Sequence, residues 1–186
     1  MYITEIGIRN FRNFESAKFK FTKNTVNTLI GENASGKTNL FYAMRLVLDD
    51  NLPLSARQLT NSDFHRSLGS PNGHWIIIAF KFAGLGSSDE DLVLANHSLL
   101  PGSDDLEGTY TFIYRPKKSV RAKLHEITKD NLDSDIRKEK TTAYLKSISI
   151  DREHYEIAAF TRTTVDMSSD QIYSDIAGNF EECIFP

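Results

Sequence analysis

Apolar and polar residues alternate over most of the first twenty positions. In "YITEIGIR" (2–9), Ile3 stands against Thr4, Ile6 against Gly7 and Ile8 against Arg9, the two-residue period of a strand. "NFRNF" turns the chain, and "ESAKFKF" alternates again with Ala17, Phe19 and Phe21 on one face. The pattern predicts a β-hairpin or a pair of neighbouring strands. "VNTLI" (26–30) predicts a third strand running directly into Gly31. From Gly36 the period lengthens. Leu40, Met44 and Val47 fall at i, i+4 and i+7, with Phe41 and Leu48 beside them, which predicts a helix with an apolar stripe. That helix should stop near Asp49, where "DDNLP" brings Asp, Asn and Pro together.

Further along, "SARQLTNSDFHRSLGSPNGH" is polar and turn-rich, with room for at most a short helix. "HWIIIAFKF" contains the longest apolar run, Trp75 to Phe80, and suits a buried strand. A Gly/Ser/Asp loop around a short helix at Asp89–Asn96 follows, and then "GTYTFIYR", another alternating strand. Residues 115–146 hold ten Lys/Arg against five Asp/Glu, and residues 147–186 reverse this with two against eight. The basic stretch Arg115–Lys129 could meet a DNA backbone. The preferred reading is a solvated edge strand or hairpin, because the following acids neutralise it and no aromatic residues interleave for base stacking.

Composition narrows the class. The 186 residues are 40% apolar and 11% aromatic, enough for one domain with a core. A net charge of −3 argues neither for nor against nucleic acid. The single cysteine, Cys183, excludes an internal disulfide framework and a Cys-rich zinc site, so a reduced cytoplasmic protein is expected. No stretch approaches the ~20 apolar residues of a membrane span. The five histidines show no metal-ligand spacing.

The chemistry lies in "GENASGKT". The pattern G-x-x-x-x-G-K-[ST] is met by Gly31, Gly36, Lys37 and Thr38. The glycines permit close backbone approach. The amides from about Asn33 through Ala34, Ser35 and Gly36 to Thr38 form an anion nest. The helix that follows adds its N-terminal dipole. Lys37 reaches the outer phosphates and the Thr38 hydroxyl ligates Mg²⁺, so ATP with Mg²⁺ is the expected ligand pair. A strand ending at the first glycine and a helix starting at the second is the setting this motif requires. "LVLDD" (46–50) imitates an apolar strand ending in a metal-binding acid, but it continues the helix stripe and reads as a helix C-terminus.

"IRNFRNFES", followed by "LIGENASGKTNLFYAMRLVL", resembles the N-terminus of the RecF/SMC-type ABC ATPases, and especially the OLD-family and related ATPases of phage defence. The resemblance covers about the first fifty residues. It implies a P-loop NTPase fold of α/β class, with a mixed sheet around the cradle helix beside an antiparallel β portion. It places Arg12 near the nucleotide's phosphates and puts Asn33, Ser35 and Asn39 within the cradle motif. "TNSDFHRS" and "AAFTRTTVDM" are weaker likenesses.

The family's ATPase site also uses a Gln loop, a Leu-Ser-Gly-Gly signature, a Walker B Asp–Glu pair and a His switch. None is recognisable here. "GLGSS" (84–88) reads as a loop, Gln58 comes too early, and Gln171 reads as a surface position. Residues 1–50 are therefore expected to be hairpin, cradle and helix, and residues 51–186 further strands and loops, as the N-terminal part of a longer ATPase. The expected role is ATP binding in a DNA-acting machine, plausibly in anti-phage defence, working as a homo-oligomer or with a partner nuclease. The alternative is a nucleotide-stabilised structural module without turnover. A small-molecule kinase or GTPase is disfavoured, since neither a catalytic Asp nor Asn-Lys-x-Asp is found.

Overall fold

The computed structural model describes residues 1–23, 26–33, 35–86, 107–129 and 133–162. β1 (Tyr2–Phe11) and β2 (Phe14–Lys20) form a hairpin whose two turn residues are Arg12 and Asn13, with Phe11 opposite Phe14. β3 (Ile76–Ala83) pairs with the other edge of β1, β4 (Gly108–Pro116) with β3, and β5 (Tyr155–Arg162) with β4. The order is β2-β1-β3-β4-β5, and every pairing among the described residues is antiparallel. The expected α/β class and antiparallel portion are both present.

β3 is buried along nearly all its length, as its unbroken apolar run requires. Ile76, Ile78, Phe80 and Phe82 share a core with Ile6, Ile8 and Phe11 of β1 and with Leu40, Ala43 and Leu46 of α1 (Lys37–Leu48). The strand period and the helix period thus meet on one face of the sheet. The helical stripe is Leu40–Ala43–Leu46, and the expected Met44 and Val47 flank it, partly buried. Phe41 and Leu48 face solvent. Asp49 caps the helix end, receiving Arg45 in an i, i+4 ion pair, so "LVLDD" is the helix C-terminus expected.

Two expectations are corrected. Val26–Ile30 is not a strand: Val26 is 93% and Ile30 89% exposed, and the stretch joins no ladder. An apolar pattern makes a strand only when a neighbour takes its N–H and C=O groups, and none of the described strands runs beside it. Likewise Arg115–Lys129 is not an edge strand or hairpin. After β4 ends at Pro116 the chain forms α2 (Lys118–Lys129) and then α3 (Ser134–Ser147) before β5. Val120 and Leu124 bury themselves against Ile148, Tyr144 and Leu145, so the start of α2 meets the end of α3 in a helical hairpin. Helical spacing decides the element, while the lysines between merely solvate its outer face. The helix expected at Asp89–Asn96, Gln171 and Cys183 lie outside the described residues. Among the described residues no helix is long and apolar enough to cross a membrane.

The stretch between α1 and β3 is tied down at several points. It contains two short 3₁₀ turns, Asn61–Asp63 and Arg66–Leu68. The Tyr114 hydroxyl donates to Leu59 O at 3.1 Å, and burial pushes its pKa up to about 12, which keeps it a donor. Burial raises the pKa of Tyr155 too; its hydroxyl accepts from Gly73 N at 2.8 Å and lies 3.3 Å from the Pro71 and His74 carbonyls. Asn72 Nδ2 donates to Leu145 O and Ile148 O. This segment is therefore a fixed wall rather than a free loop.

Candidate functional site

Two walls enclose an open groove of about 680 Å³. The first consists of the hairpin turn and the glycine-rich loop, with Arg12, Asn13, Asn33, Gly36, Lys37, Thr38 and Asn39 lining it. The second is the stretch 61–71, contributing Asn61, Ser62, Phe64, His65, Arg66, Gly69 and Pro71.

The glycine-rich loop has the local geometry its sequence dictates. Gly36 caps α1 at φ 103°, a conformation that L side chains rarely adopt. A Cβ there would stand 2.1 Å from the Asn13 amide nitrogen. A Cβ on Gly31 would stand 2.7 Å from Ser35 Oγ. Gly36 is thus fixed by its backbone angle and by close approach, whereas at Gly31 a side chain would have to turn the Ser35 hydroxyl aside. The Lys37 ammonium folds back over the loop, donating to Gly31 O at 2.5 Å and Glu32 O at 2.6 Å, with Ser35 Oγ at 3.5 Å. It rests on the rim of its own cradle. Thr38 is exposed in the first helical turn on the groove wall.

Arg12 stands on the same wall. Its φ of 51° is left-handed, which is uncommon for a residue other than glycine and points to a position held by its surroundings. Its N–H donates to Asp63 O at 2.7 Å and its Nε to Asp63 Oδ1 at 2.9 Å. Nη1 donates to Asn39 Oδ1 at 3.1 Å. The guanidinium also lies over the Tyr42 ring. Asp63 is buried, and Thr60 N donates to its second oxygen at 2.9 Å.

Of the residues expected from the sequence, Arg12, Asn33, Gly36, Lys37, Thr38 and Asn39 line one groove. Gly31 and Ser35 shape the loop beneath Lys37. Ala34 lies outside the described residues. Sequence reasoning missed Asn13, Asp63 and the second wall. The "NFRNF" turn carried the signal for Asn13, and "TNSDFHRS" carried that for Asp63 and the wall. Neither identifies which side chains face inward.

Comparison with known proteins places the chain. A family described as an AAA ATPase domain matches residues 1–179. A RecF DNA replication and repair protein from Bacillus mycoides (strain KBAB4) is 52% identical over 44 residues, 24% of this chain and 12% of the relative. Structural maintenance of chromosomes protein 3 of Arabidopsis thaliana is 33% identical over 90 residues, 48% of this chain and 7% of the relative. These matches span a small part of either relative's length. A solved structure described as "Structural biochemistry of ATP-driven dimerization and DNA stimulated activation of SMC ATPases" aligns with 62% of this chain and 64% of its own, at 17% identity and a TM-score of 0.41. With a glycine cradle, its lysine and an arginine on the same wall of one groove, and a family match over nearly its whole length, the chain belongs to the AAA ATPase domain family and is homologous to the N-terminal ATPase regions of RecF and SMC proteins.

Proposed function

We propose that the groove binds ATP, as the nucleotide site of an ATP-driven machine that acts on DNA. One observation carries this reading: the Lys37 ammonium and the Arg12 guanidinium line a single groove at the N-terminus of α1, whose second glycine has no room for a side chain. A helix N-terminus with a lysine and an arginine lining the same groove suits a polyphosphate. Lys37 is seated on carbonyl oxygens, which phosphate oxygens would replace as acceptors. Thr38 supplies the hydroxyl that would hold Mg²⁺, and the ion would neutralise phosphate charge there. The opposite wall, from Asn61 to Pro71, has space and polarity for the nucleoside.

In this reading the chain is the N-terminal portion of a RecF/SMC-type ATPase that assembles with itself or with a nuclease partner, and an OLD-like role in phage defence fits the early "NFRNF" and "GENASGKTN" segments. The second reading is an assembly module that uses nucleotide for stability alone. The exposure of Val26, Ile30 and Phe41 near the cradle favours it, because such apolar surface suits burial by another surface.

Titration calorimetry with ATP–Mg²⁺ on the native chain and on Lys37→Ala tests the assignment. Lys37 faces the groove and not the core, so the variant should keep its fold and lose ATP affinity. Equal affinities would overturn the cradle assignment, and turnover measured with and without additional partner chain separates the two readings.

A further inference from the structure

Asn13 and Asn39 connect elements far apart in sequence. Asn13 Nδ2 donates to Ser35 O in the glycine-rich loop at 3.2 Å. Asn13 Oδ1 accepts from Asn39 Nδ2 at 2.7 Å. Asn39 Oδ1 accepts from Arg12 Nη1 at 3.1 Å, and Arg12 Nε donates to Asp63 Oδ1 at 2.9 Å. One hydrogen-bonded chain therefore runs from the cradle, through the hairpin turn and α1, to the opposite wall.

Its polarity is forced. The Ser35 carbonyl can only accept and the guanidinium can only donate. Between a fixed acceptor and a fixed donor, two amides satisfy every atom in one orientation alone: nitrogen of Asn13 toward Ser35, nitrogen of Asn39 toward Asn13, and oxygen of Asn39 toward Arg12. Both polar ends of each amide are engaged. The missing Cβ of Gly36 makes the approach of Asn13 possible, so this glycine serves the chain of amides as well as the loop. Asn13 is exposed and lies outside the apolar core, so the core does not explain its fixed direction.

We propose that Asn13 and Asn39 are positioning residues that orient the Arg12 guanidinium and the Ser35 backbone as one anion-binding unit, and that Asn39 acts on nucleotide through Arg12 rather than by touching it. The proposal rests on the nucleotide reading above. It assigns Asn39, which lines the groove and which the sequence placed in the cradle motif, to a role through its neighbour rather than through the ligand.

The test is a double-mutant cycle read as affinity for ATP–Mg²⁺ with a fluorescent nucleotide, alongside melting of the nucleotide-free chain. Asn39→Ala should weaken ATP binding about tenfold, the scale of one charge-assisted hydrogen bond, and Asn13→Ala, whose bonds are neutral, about fivefold. Nucleotide-free melting should stay near that of the native chain. In an Arg12→Ala background the Asn39→Ala loss should shrink below about twofold, because no guanidinium remains to orient. A full loss persisting in that background would mean direct contact and overturn the proposal. So would unchanged affinity in both single variants, or an Arg12→Ala variant that binds like the native chain. If Lys37→Ala alone abolishes binding, the nucleotide reading stands while the positioning role falls. If the native chain binds no ATP, both fall.

Discussion

The Arg12 guanidinium carbon lies 4.1 Å from the centroid of the Tyr42 ring, one helical turn beyond Thr38. The ring supports one face of the guanidinium, and Asp63 and Asn39 take hydrogens from its edge. A cation held over an aromatic face at a partly exposed site is stabilised by about 1 kcal/mol. Tyr42→Leu should therefore lower stability and loosen Arg12, whereas Tyr42→Phe should lose only the hydroxyl bond to Ala56 O. Urea unfolding of the two variants checks this, with Phe expected to lie nearer the native chain.

Arg12→Ala should weaken ATP binding by roughly 1–3 kcal/mol, the range for a hydrogen bond to a charged group. It should also cost stability without nucleotide, because the buried Asp63 loses its cationic partner. Calorimetry and thermal melting on the same samples separate the two effects. An unchanged ATP affinity would make Arg12 purely structural.

Gly36→Ala tests the backbone. The φ of 103° alone should cost about 1–2 kcal/mol for an L side chain. The added methyl must also displace the Asn13 amide, which breaks the bond to Ser35 O. Loss of both stability and nucleotide affinity is expected, in contrast to Lys37→Ala, which should lose affinity alone.

His74 sets a pH dependence. Its ring is desolvated, which lowers its pKa from the usual 6.5, and Nδ1 is buried without a hydrogen-bond partner. The unfolded chain takes a proton near pH 6.5 where the folded chain does not. This contribution to stability is therefore complete above that pH and is lost as pH falls through the folded-state value. Between about pH 7.5 and 5.5, on the order of one unit either side of the usual histidine value, the native chain should lose more unfolding free energy than His74→Gln. Equal losses in urea titrations would remove His74 as the cause.

Self-association is the last expectation. The 186 residues include the cradle but no Leu-Ser-Gly-Gly sequence to face a second cradle. The chain by itself should bind nucleotide without an ATP-driven step from monomer to dimer. Light scattering with and without ATP–Mg²⁺, across protein concentration, checks this. A sharp nucleotide-dependent shift would show that the chain holds a complete site acting across two copies.

Legibility in the sequence followed the physics of each element. β3 and β4 were readable because their apolar residues are buried where they stand, between neighbours on both sides. Val26–Ile30 carries an equally good pattern and forms no strand, since pairing is a property of the partner as much as of the segment. α2 was hidden by its lysines, although Val120, Leu124 and Ile127 keep helical spacing. In the site, Gly36 and Lys37 were legible from a motif whose chemistry is local to the backbone. Asn13 was not. Its direction depends on a left-handed Arg12 beside it and a Cβ-free Gly36 more than twenty residues away, which no local periodicity encodes.

Two backbone bonds stitch the second wall to the hairpin: Arg12 N–H to Asp63 O at 2.7 Å, and His65 N–H to Asn10 O at 3.1 Å, flanking the bridge between Phe11 and Phe64. Leaving such groups unpaired when buried costs about 1–3 kcal/mol each. In mechanical terms the gauge of the groove is set by backbone bonds, because the second wall is tied to the hairpin turn that carries part of the first.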